Sequence, residues 1–211
     1  MEITWLGHSC FSIKEKGKVL VTDPYSPDIG YPPLKLTADI VTVSHSHPGH
    51  SYVEGIGNNP KQITTPGEFE IGGLFATGIS TFHDSENGSI RGRNTVYLIE
   101  FGNMVLCHLG DLGHRLTPQL LEELGTVDVL FLPVGGESTI PVNLAVETVR
   151  ALDPRIVIPM HYQTPVLKRN LESVDVFLKR IEAQGIEAKP KLSLSQSSLP
   201  SNTEVVVLNY A

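Results

Sequence analysis

The chain contains 211 residues, of which 40% are hydrophobic and 18% are charged, as is usual for a globular protein with one sizeable core. Its 16 Lys and Arg residues against 23 Asp and Glu residues give a formal net charge of −7. This balance argues against a broad nucleic-acid-binding surface, although it leaves room for a small anionic substrate.

The first half of the sequence is rich in predicted strands separated by turn residues. Apolar and alternating stretches predict strands over 1–6, 10–14, 18–22, 39–44 and 62–82, the last broken by Pro66-Gly67 and Gly72-Gly73, and a hairpin of 95–100 with 104–107. Three prolines predict a loop over 25–35, and the glycine-containing stretch 84–94 is a second predicted loop.

The second half alternates between predicted helices and strands. Thr117-Pro118 supplies an N-cap followed by proline at the first helical position, and the predicted helices are 119–124, 143–152 and 171–184. The predicted strands are 127–133, 155–160 and 204–209, and the Ser-rich stretch 191–202 is expected to be an ordered excursion. This order of elements predicts an α/β protein whose sheets are sandwiched by helices.

Three histidines follow the strand predicted over 39–44. His45, His47 and His50 lie within six residues, directly behind an apolar run. Residues two apart in a strand point to the same side, so His45 and His47 can converge, and the turn at Pro48-Gly49 can bring His50 to the same place. Because imidazole is the usual ligand of zinc and similar divalent ions, this spacing predicts a metal site.

Other polar residues also follow predicted strands. His83 comes directly after Phe82, Asp111 follows the strand that runs into His108, and His161 ends the strand 155–160. In layered α/β proteins, ligands and catalytic groups collect where strands end and loops begin. These residues are therefore candidates for the same site.

The sequence also carries expectations about location and organisation. No signal peptide and no apolar run of transmembrane length can be recognised, so we expect a cytoplasmic protein without membrane contact. Cys10 and Cys107 lie in apolar stretches and are expected to be small buried side chains rather than a disulfide. A single domain over 1–211 is the simplest organisation for this length, and a homo-oligomer stays open.

Several short motifs together resemble the metallo-β-lactamase-fold hydrolase superfamily, and within it the branch of small Zn-dependent hydrolases that includes the ascorbate phosphate lactonases. The matching pieces run through the chain in order: Leu6-Gly7-His8-Ser9-Cys10-Phe11, Thr22-Asp23-Pro24, His45-x-His47-x-x-His50, His83, Gly110-Asp111 and Pro159-Met160-His161-Tyr162. The resemblance implies a four-layer αβ/βα sandwich of the metallo-β-lactamase type, with the metals at one edge of the two sheets.

The resemblance also implies roles for individual residues. Six residues would hold metal: His45, His47 and His83 the first ion, His50 and His161 the second, and Asp111 both. Asp111, His50 and His161 would in addition be the catalytic residues. Asp23 would support the cluster from behind by accepting a hydrogen bond from a ligand imidazole.

One position departs from the pattern of that superfamily. Gly49 stands where an aspartate ligand of the second metal is usual, and a glycine there also allows a positive φ. A missing carboxylate removes a bond and a negative charge, so we expect the second site to be the weaker one, with one or two ions bound. Glu54 and Asp84 are the nearby carboxylates that could fill the gap. Zinc is the expected metal, with manganese or iron as alternatives.

Four further residues are candidate substrate contacts. His8 could reach the metal edge, and a structural hydrogen bond to the backbone is the alternative. His114 could touch a substrate or be exposed to solvent. Arg91 and Arg93, in the loop after His83, are either solvated charges or anchors for a phosphate or carboxylate group.

These features predict metal-assisted hydrolysis of a small, anionic substrate of the ester, lactone or phosphodiester class. A divalent ion lowers the pKa of a bound water to about 7 and polarises the bond under attack. No Ser/His/Asp or Cys/His nucleophile pattern competes with this interpretation. Two alternatives stay open: a nuclease or phosphodiesterase of the same superfamily that acts on nucleic acid, and a metal-binding regulatory protein without turnover.

Overall fold

A computed structural model describes residues 1–211 as fifteen strands, three α-helices and three single turns of 3-10 helix. The strands are β1 (Glu2–Gly7), β2 (Cys10–Glu15), β3 (Lys18–Thr22), β4 (Leu36–Thr37), β5 (Ile40–Thr42), β6 (Ile56–Gly57), β7 (Lys61–Ile63), β8 (Gly67–Ile71), β9 (Leu74–Phe82), β10 (Arg93–Phe101), β11 (Met104–His108), β12 (Val129–Pro133), β13 (Ile156–Met160), β14 (Leu192–Ser193) and β15 (Glu204–Val205). The helices are α1 (Pro118–Leu124), α2 (Val142–Leu152) and α3 (Val174–Arg180). None of these helices combines the length and the apolar character that crossing a bilayer requires.

The strands form two large sheets and one small one. The first sheet has the order β14-β1-β2-β3-β5-β7, the second β15-β13-β12-β11-β10-β9-β8, and β4 pairs with β6 alone. In the second sheet, β10 pairs antiparallel with both β9 and β11, with Val96 opposite Ile79 and Leu98 opposite Cys107. β9 therefore runs in the same direction as β11. It also runs in the direction of β12 and β13, because these strands are parallel to β11.

The two large sheets share one core. A cluster of 44 buried residues includes side chains from both sheets and from all three α-helices. Phe11 of the first sheet and Phe131 of the second have ring centroids 4.5 Å apart. The Tyr97 hydroxyl reaches across to the first sheet and lies 2.9 Å from the carbonyl oxygen of Val43, to which it donates. Apolar burial at about 25 cal/mol per Å² is the main force that holds such layers together.

A second apolar cluster covers the outer face of the first sheet. It contains eleven buried residues, among them Val21 and Val41 from the sheet and Tyr25, Tyr31 and Leu167 from loops. No residue of α1, α2 or α3 belongs to it, so loops and 3-10 turns form this outer layer. The prolines that predict a loop over 25–35 explain why no α-helix forms there.

Two predicted elements are shorter in the structure. The helix predicted over 171–184 spans only Val174–Arg180, because Leu171 and Glu172 donate their backbone N–H groups to neighbouring loops, and Glu182 takes a left-handed φ of 61°. The strand predicted over 204–209 is limited to Glu204–Val205, after which the chain forms a bridge with Lys189 at Leu208. Arg93, predicted to lie in a loop, is the first residue of β10.

The topology brings six strand ends to one edge of the sandwich. In the first sheet β1, β3 and β5 run in one direction, since β2 is antiparallel to both of its neighbours and β3 is parallel to β5. In the second sheet β9, β11 and β13 also share one direction. The polar residues that follow these six strands are His8, Asp23, His45, His83, Asp111 and His161.

Candidate metal centre

Asp111 lies at the centre of a group of imidazoles. Its Oδ2 atom is 3.2 Å from the Nε2 atoms of His50, His83 and His161, and 3.8 Å from Nε2 of His45. Two ligand atoms bound tetrahedrally to one zinc ion at about 2.0–2.1 Å lie about 3.3 Å apart. The observed separations therefore match those of ligands that share an ion.

The histidines near Asp111 include two groups whose ring nitrogens lie close together. Ring nitrogens of His45, His47 and His83 all lie within 4.8 Å of one another. A second group, with the same spacing, consists of His8, His50 and His161. The predicted first site is thus assembled in one place, and the predicted second site has a third imidazole that the sequence did not assign to it.

Several buried ligand-type atoms of this cluster have no hydrogen-bond partner. They are both ring nitrogens of His8 and His161, Nε2 of His45 and His50, Nδ1 of His83, and both carboxylate oxygens of Asp111. An unsatisfied buried polar group costs on the order of 1–3 kcal/mol. The presence of several such atoms in one place therefore indicates that these residues bind a ligand. Imidazole nitrogens around one shared carboxylate suit a divalent transition metal. The donor set therefore fits the predicted metals.

Asp23 and Ser44 orient two of the imidazoles. Nδ1 of His50 lies 2.9 Å from Oδ2 of Asp23, to which it donates, and the hydroxyl of Ser44 donates to the same oxygen. Nδ1 of His45 is 2.9 Å from the Ser44 hydroxyl. With their protons on Nδ1, both rings present a free Nε2 to the cluster, as metal binding requires. The structure thus places Asp23 where the predicted supporting role needs it.

Asn94 and Gly110 fix the position of Asp111. The backbone N–H of Asp111 donates to Oδ1 of Asn94 over 2.9 Å, while the Asn94 amide donates to Thr81 and Leu109. Gly110 has a φ of 56°, and a Cβ atom there would come within 2.4 Å of the same Oδ1. Only glycine fits this position without displacing Asn94.

Burial keeps two of the histidines neutral. Burial lowers the pKa of His45 to about 3, and the charge of His50 contributes to the shift. Burial likewise lowers the pKa of His8 well below its usual value, with further lowering by His161 and His50. Neutral imidazole is the form that binds a metal.

For His50 and Asp111, charge pairing outweighs burial and shifts each pKa in the direction opposite to the effect of burial. Burial alone would lower the pKa of His50, but Asp111 and Asp23 outweigh this effect and raise it to about 9. Burial alone would raise the pKa of Asp111, but the charges of His161 and His50 hold it well below its usual value. Without an ion, His50 therefore carries a proton at neutral pH that faces the ionised Asp111.

The space beside Gly49 is not empty, although the expected weakness of the second site stays a prediction. A Cβ atom at Gly49 would lie 3.0 Å from Nε2 of His8, so the His8 ring occupies the space beside this glycine. Gly49 does not have a positive φ. Glu54 is exposed, and the Asp84 carboxylate accepts four backbone N–H groups of its own loop, so neither fills the gap.

The environments of four predicted histidines also differ from expectation in detail. The alternative that His8 makes a structural hydrogen bond through its ring is wrong, because neither ring nitrogen has a partner. His45 and His47 follow β5, which ends at Thr42, so the loop and not strand alternation brings them together. His114 accepts from the N–H of Phe82 and lies 2.9 Å from the carbonyl oxygen of Arg115, which ties it to the main chain.

Two cavities border the cluster. One of about 700 Å³ is lined by His83 and Asp84 on the metal side and by Arg91, His114 and Ser138 among others. The second, of about 350 Å³, is lined by His45, His47, Arg91 and Arg93. Arg91 thus borders both cavities, and neither Arg91 nor Arg93 forms a salt bridge.

Sequence reasoning missed Ser44 and Asn94, and it did not place His8 among the second group of imidazoles. Ser44 and Asn94 are short polar residues next to strand ends, a position that by itself does not distinguish a hydrogen-bonding role from an ordinary turn. His8 could be placed near the edge, but its proximity to Gly49 depends on the packing of two distant segments.

Comparisons with known proteins agree with this geometry. The family described as the Beta-lactamase superfamily domain matches residues 2–161. A UPF0173 metal-dependent hydrolase of Carboxydothermus hydrogenoformans is 31% identical in an alignment of 219 positions that spans 90% of this chain and 96% of the relative. The family match includes every residue of the cluster around Asp111, from His8 to His161.

Solved structures show the same architecture. A chain from Thermotoga maritima, assigned to the Zn-dependent hydrolases of the metallo-β-lactamase superfamily, is 41% identical, with a TM-score of 0.81, and covers 98% of this chain and 97% of its own. CmlA of Streptomyces venezuelae, a diiron β-hydroxylase, is 17% identical with a TM-score of 0.63 over 92% of this chain and 53% of its own, and shares the fold alone. The predicted metallo-β-lactamase fold is confirmed, although no α-helix contributes to the apolar cluster on the outer face of the first sheet. The chain belongs to the metallo-β-lactamase superfamily and is one of its metal-dependent hydrolases.

Proposed function

We propose that this hydrolase uses zinc to cleave a small anionic ester, lactone or phosphodiester bound in the cavity of about 700 Å³ beside His83. The observation that carries the proposal is the position of Arg91, an arginine without a carboxylate partner, in the wall of a cavity that a predicted metal ligand also lines. Guanidinium groups bind phosphate and carboxylate with well-matched geometry. The substrate would therefore carry its charge on the Arg91 side and its scissile bond on the His83 side.

The metal-ligating residues would be the six that the sequence predicts: His45, His47, His50, His83, Asp111 and His161. A bound zinc ion supplies a water that ionises near neutral pH and a positive charge that polarises the bond under attack. Asp23 and Ser44 keep the Nε2 atoms of His50 and His45 free for the metal. Five imidazoles and one carboxylate favour zinc over calcium or magnesium, and the similar chain from Thermotoga maritima is assigned as Zn-dependent.

The cavity supports a compact substrate. Its volume of about 700 Å³ lies within the usual range of small-molecule sites, about 300–1,000 Å³. Hydroxyl and guanidinium groups outnumber apolar side chains in its wall; they come from Ser85, Thr117, Ser138, Thr139, Arg91 and Arg115. Arg115 is paired with Glu147, which leaves Arg91 as the arginine available to a ligand.

The test compares Arg91→Ala with the wild-type protein on paired substrates. A panel of phosphorylated or carboxylated esters and lactones, each with its neutral homologue, is assayed with added zinc. We expect Arg91→Ala to raise KM for the anionic member by about 3- to 10-fold, which corresponds to about 0.7–1.4 kcal/mol, and to leave the neutral member unaffected. Metal content should not change.

Two comparisons sharpen this test. Arg93→Ala removes the neighbouring arginine, which lines only the smaller cavity, and Arg180→Ala removes an exposed arginine at the end of α3. Equal KM values for Arg91→Ala and Arg180→Ala would reject the anchoring role of Arg91. Cleavage of oligonucleotides, with no turnover of any small substrate in the panel, would favour the nuclease alternative.

A further inference from the structure

We propose that His8 is a ligand of the second metal site, where it completes a set of three imidazoles with His50 and His161. The proposal rests on the assignment of the chain as a metal-dependent hydrolase. It is independent of which substrate is cleaved and of the role of Arg91.

The first observation is that the His8 ring is buried without a partner. The residue is 0% exposed, and neither of its ring nitrogens has a hydrogen-bond partner. His108, another fully buried histidine, shows the contrast, because its Nε2 lies 2.9 Å from the carbonyl oxygen of Ser9 and its Nδ1 accepts from Gly110. A histidine kept only for packing would be satisfied in the same way, since leaving a buried polar group unpaired is costly.

The second observation is where the unpaired ring lies. Its centroid is 4.2 Å from that of His161 and 4.9 Å from that of His50. One ring nitrogen from each of the three residues falls within a group no wider than 4.8 Å. Oδ2 of Asp111 is 3.2 Å from Nε2 of both His50 and His161. Three imidazoles and a carboxylate oxygen thus converge on one small volume, which is the number of donors that a four-coordinate zinc takes.

The third observation is that the backbone holds His8 in this position. His8 has a left-handed φ of 52° in the turn between β1 and β2, and Gly7 before it has a φ of 120° with the Tyr31 ring so close that a Cβ atom would lie 2.5 Å from it. The carbonyl oxygen of His8 accepts hydrogen bonds from Nε1 of Trp5 and from the backbone N–H of His161, each with a donor–acceptor distance of 3.0 Å. This last bond links two members of the proposed ligand set directly. Strained conformations of this kind persist where the surrounding structure requires them.

The fourth observation concerns Gly49. Nε2 and Cδ2 of His8 lie 3.0 and 3.1 Å from the place where a Cβ atom of residue 49 would be. A side chain at position 49 and the His8 ring therefore compete for the same space. In this chain the glycine leaves that space to an imidazole, so the site exchanges the carboxylate usual at position 49 for a neutral ligand.

This exchange has a consequence for metal choice. Imidazole ligands favour zinc, nickel, copper and iron, whereas carboxylate and water ligands favour manganese, magnesium and calcium. With His8 in the ligand set, the second site should discriminate against manganese more strongly than a site that has a carboxylate at position 49.

The experiment measures the zinc content and zinc affinity of four proteins after chelation and reloading. We expect the wild-type chain to bind about two zinc ions, and His8→Ala to lose the second ion or to bind it at least about tenfold more weakly while keeping the first. The double variant His8→Ala with Gly49→Asp places a carboxylate beside the vacated space and should recover the second ion. His114→Gln, which changes a histidine that bonds the main chain, should bind zinc as the wild type does.

The outcomes separate this proposal from the proposed function. Equal affinity for the second ion in His8→Ala and wild type would overturn the role of His8 while leaving zinc-dependent hydrolysis intact. A wild-type chain that takes up no metal would instead remove the basis of both. If His8→Ala does not fold, ¹⁵N-histidine NMR of the wild-type protein loaded with ¹¹³Cd decides, because a coupling between cadmium and a His8 ring nitrogen is expected and its absence would refute the ligand role.

Discussion

The imidazoles around Asp111 are held in place by two different means. His45 and His50 are oriented by hydrogen bonds to Ser44 and Asp23. Nδ1 of His83 and Nδ1 of His161 are buried without such a partner. Each of these two residues directly follows its strand, and a glycine of another loop packs closely against its backbone. A Cβ atom at Gly113 would come within 2.3 Å of the His83 backbone, and one at Gly135 within 2.2 Å of the His161 carbonyl oxygen.

Asp23→Asn is predicted to weaken metal binding without removing a ligand. The amide has lost the negative charge that accepts the Nδ1 proton of His50, so the free Nε2 is no longer favoured and the ring is less well held. Removal of a group that orients a metal ligand typically costs about 10- to 100-fold in affinity. Competition with a fluorescent zinc chelator measures this loss.

Asp28→Asn serves as the matched control, since Asp28 is an exposed carboxylate that bonds only to Ser26. Its zinc affinity should equal that of the wild type. An Asp23→Asn protein that binds zinc as tightly as Asp28→Asn would show that the orientation of His50 does not depend on this carboxylate.

The metal-free protein is predicted to lose stability between about pH 6.5 and 9. The pKa of His50 is raised to about 9, so its protonated form stabilises the fold below the unfolded value near 6.5, and this contribution disappears as the pH rises through 9. A shift of this size corresponds to up to about 3 kcal/mol. The pKa values of His8 and His45 are lowered, so these residues change stability only below about pH 6.5.

The apparent affinity for zinc should change in the opposite direction over the same pH interval. The ion must displace the proton of His50, so its apparent affinity should increase from pH 6.5 to 9. Thermal unfolding of chelated and zinc-loaded protein across this range provides both trends. A chelated His50→Gln protein should lack the loss of stability; a loss as large as in the chelated wild type would assign it to another group.

At the scale of elements, the sequence was most informative where a strand ends in a polar residue. β3, β9 and β13 end at Thr22, Phe82 and Met160, within one residue of the predicted ends. Asp23, His83 and His161 could therefore be placed at one edge from the sequence. Short apolar runs bounded by glycine or proline leave little choice of conformation.

Other elements could not be predicted because tertiary contacts decide them. α3 begins only at Val174, because the backbone N–H groups of Leu171 and Glu172 donate to the Gln163 side chain and to the Gly135 carbonyl oxygen, contacts that no local pattern encodes. The position of the His8 ring depends on Gly49, forty-one residues away in the chain, and on His161 in the other sheet. Periodicity describes one segment at a time, whereas such contacts join separate segments.

The loop after β9 is folded around one carboxylate. Asp84 accepts the backbone N–H groups of Glu86, Gly88, Ile90 and Arg91 at 2.7–3.0 Å. Burial alone would raise the pKa of Asp84, but these four donors lower it to about 2. The loop that carries Arg91 to the cavity is therefore ordered by Asp84 and not by apolar packing.

Asp84→Ala is predicted to loosen this loop. The four N–H groups lose their acceptor, so cleavage by a protease within 85–92 should become faster, and the KM for an anionic substrate should rise because Arg91 is no longer held in place. Limited proteolysis followed by mass spectrometry locates the cleavage. Glu86→Ala, in the same loop, should behave as the wild type, and equal cleavage rates in the two variants would contradict the role given to Asp84.

At the scale of the whole molecule, the charged side chains are unevenly distributed. The chain has a formal net charge of −7, yet Arg91 and Arg93, neither of which forms a salt bridge, both line the smaller cavity at the metal edge. A negatively charged surface with two unpaired arginines at one cavity repels long polyanions and admits small ones, particularly at low ionic strength. This distribution is consistent with a compact anionic substrate.

The two sheets bring the site together because each contributes three of its strand ends. His8, Asp23 and His45 come from the first sheet, and His83, Asp111 and His161 from the second. A metal ion bound between them would connect the two halves of the sandwich, and binding to the folded state alone would stabilise it by mass action.

The measurement that tests this account most directly is the zinc content of the purified chain, determined by elemental analysis after chelation and reloading at neutral pH. We predict uptake of about two zinc ions per chain, with a higher unfolding temperature, and loss of the ion at the first site in a variant that combines His45→Ala and His47→Ala. A folded wild-type chain that takes up no zinc, or a double variant that binds zinc as fully as the wild type, would contradict it.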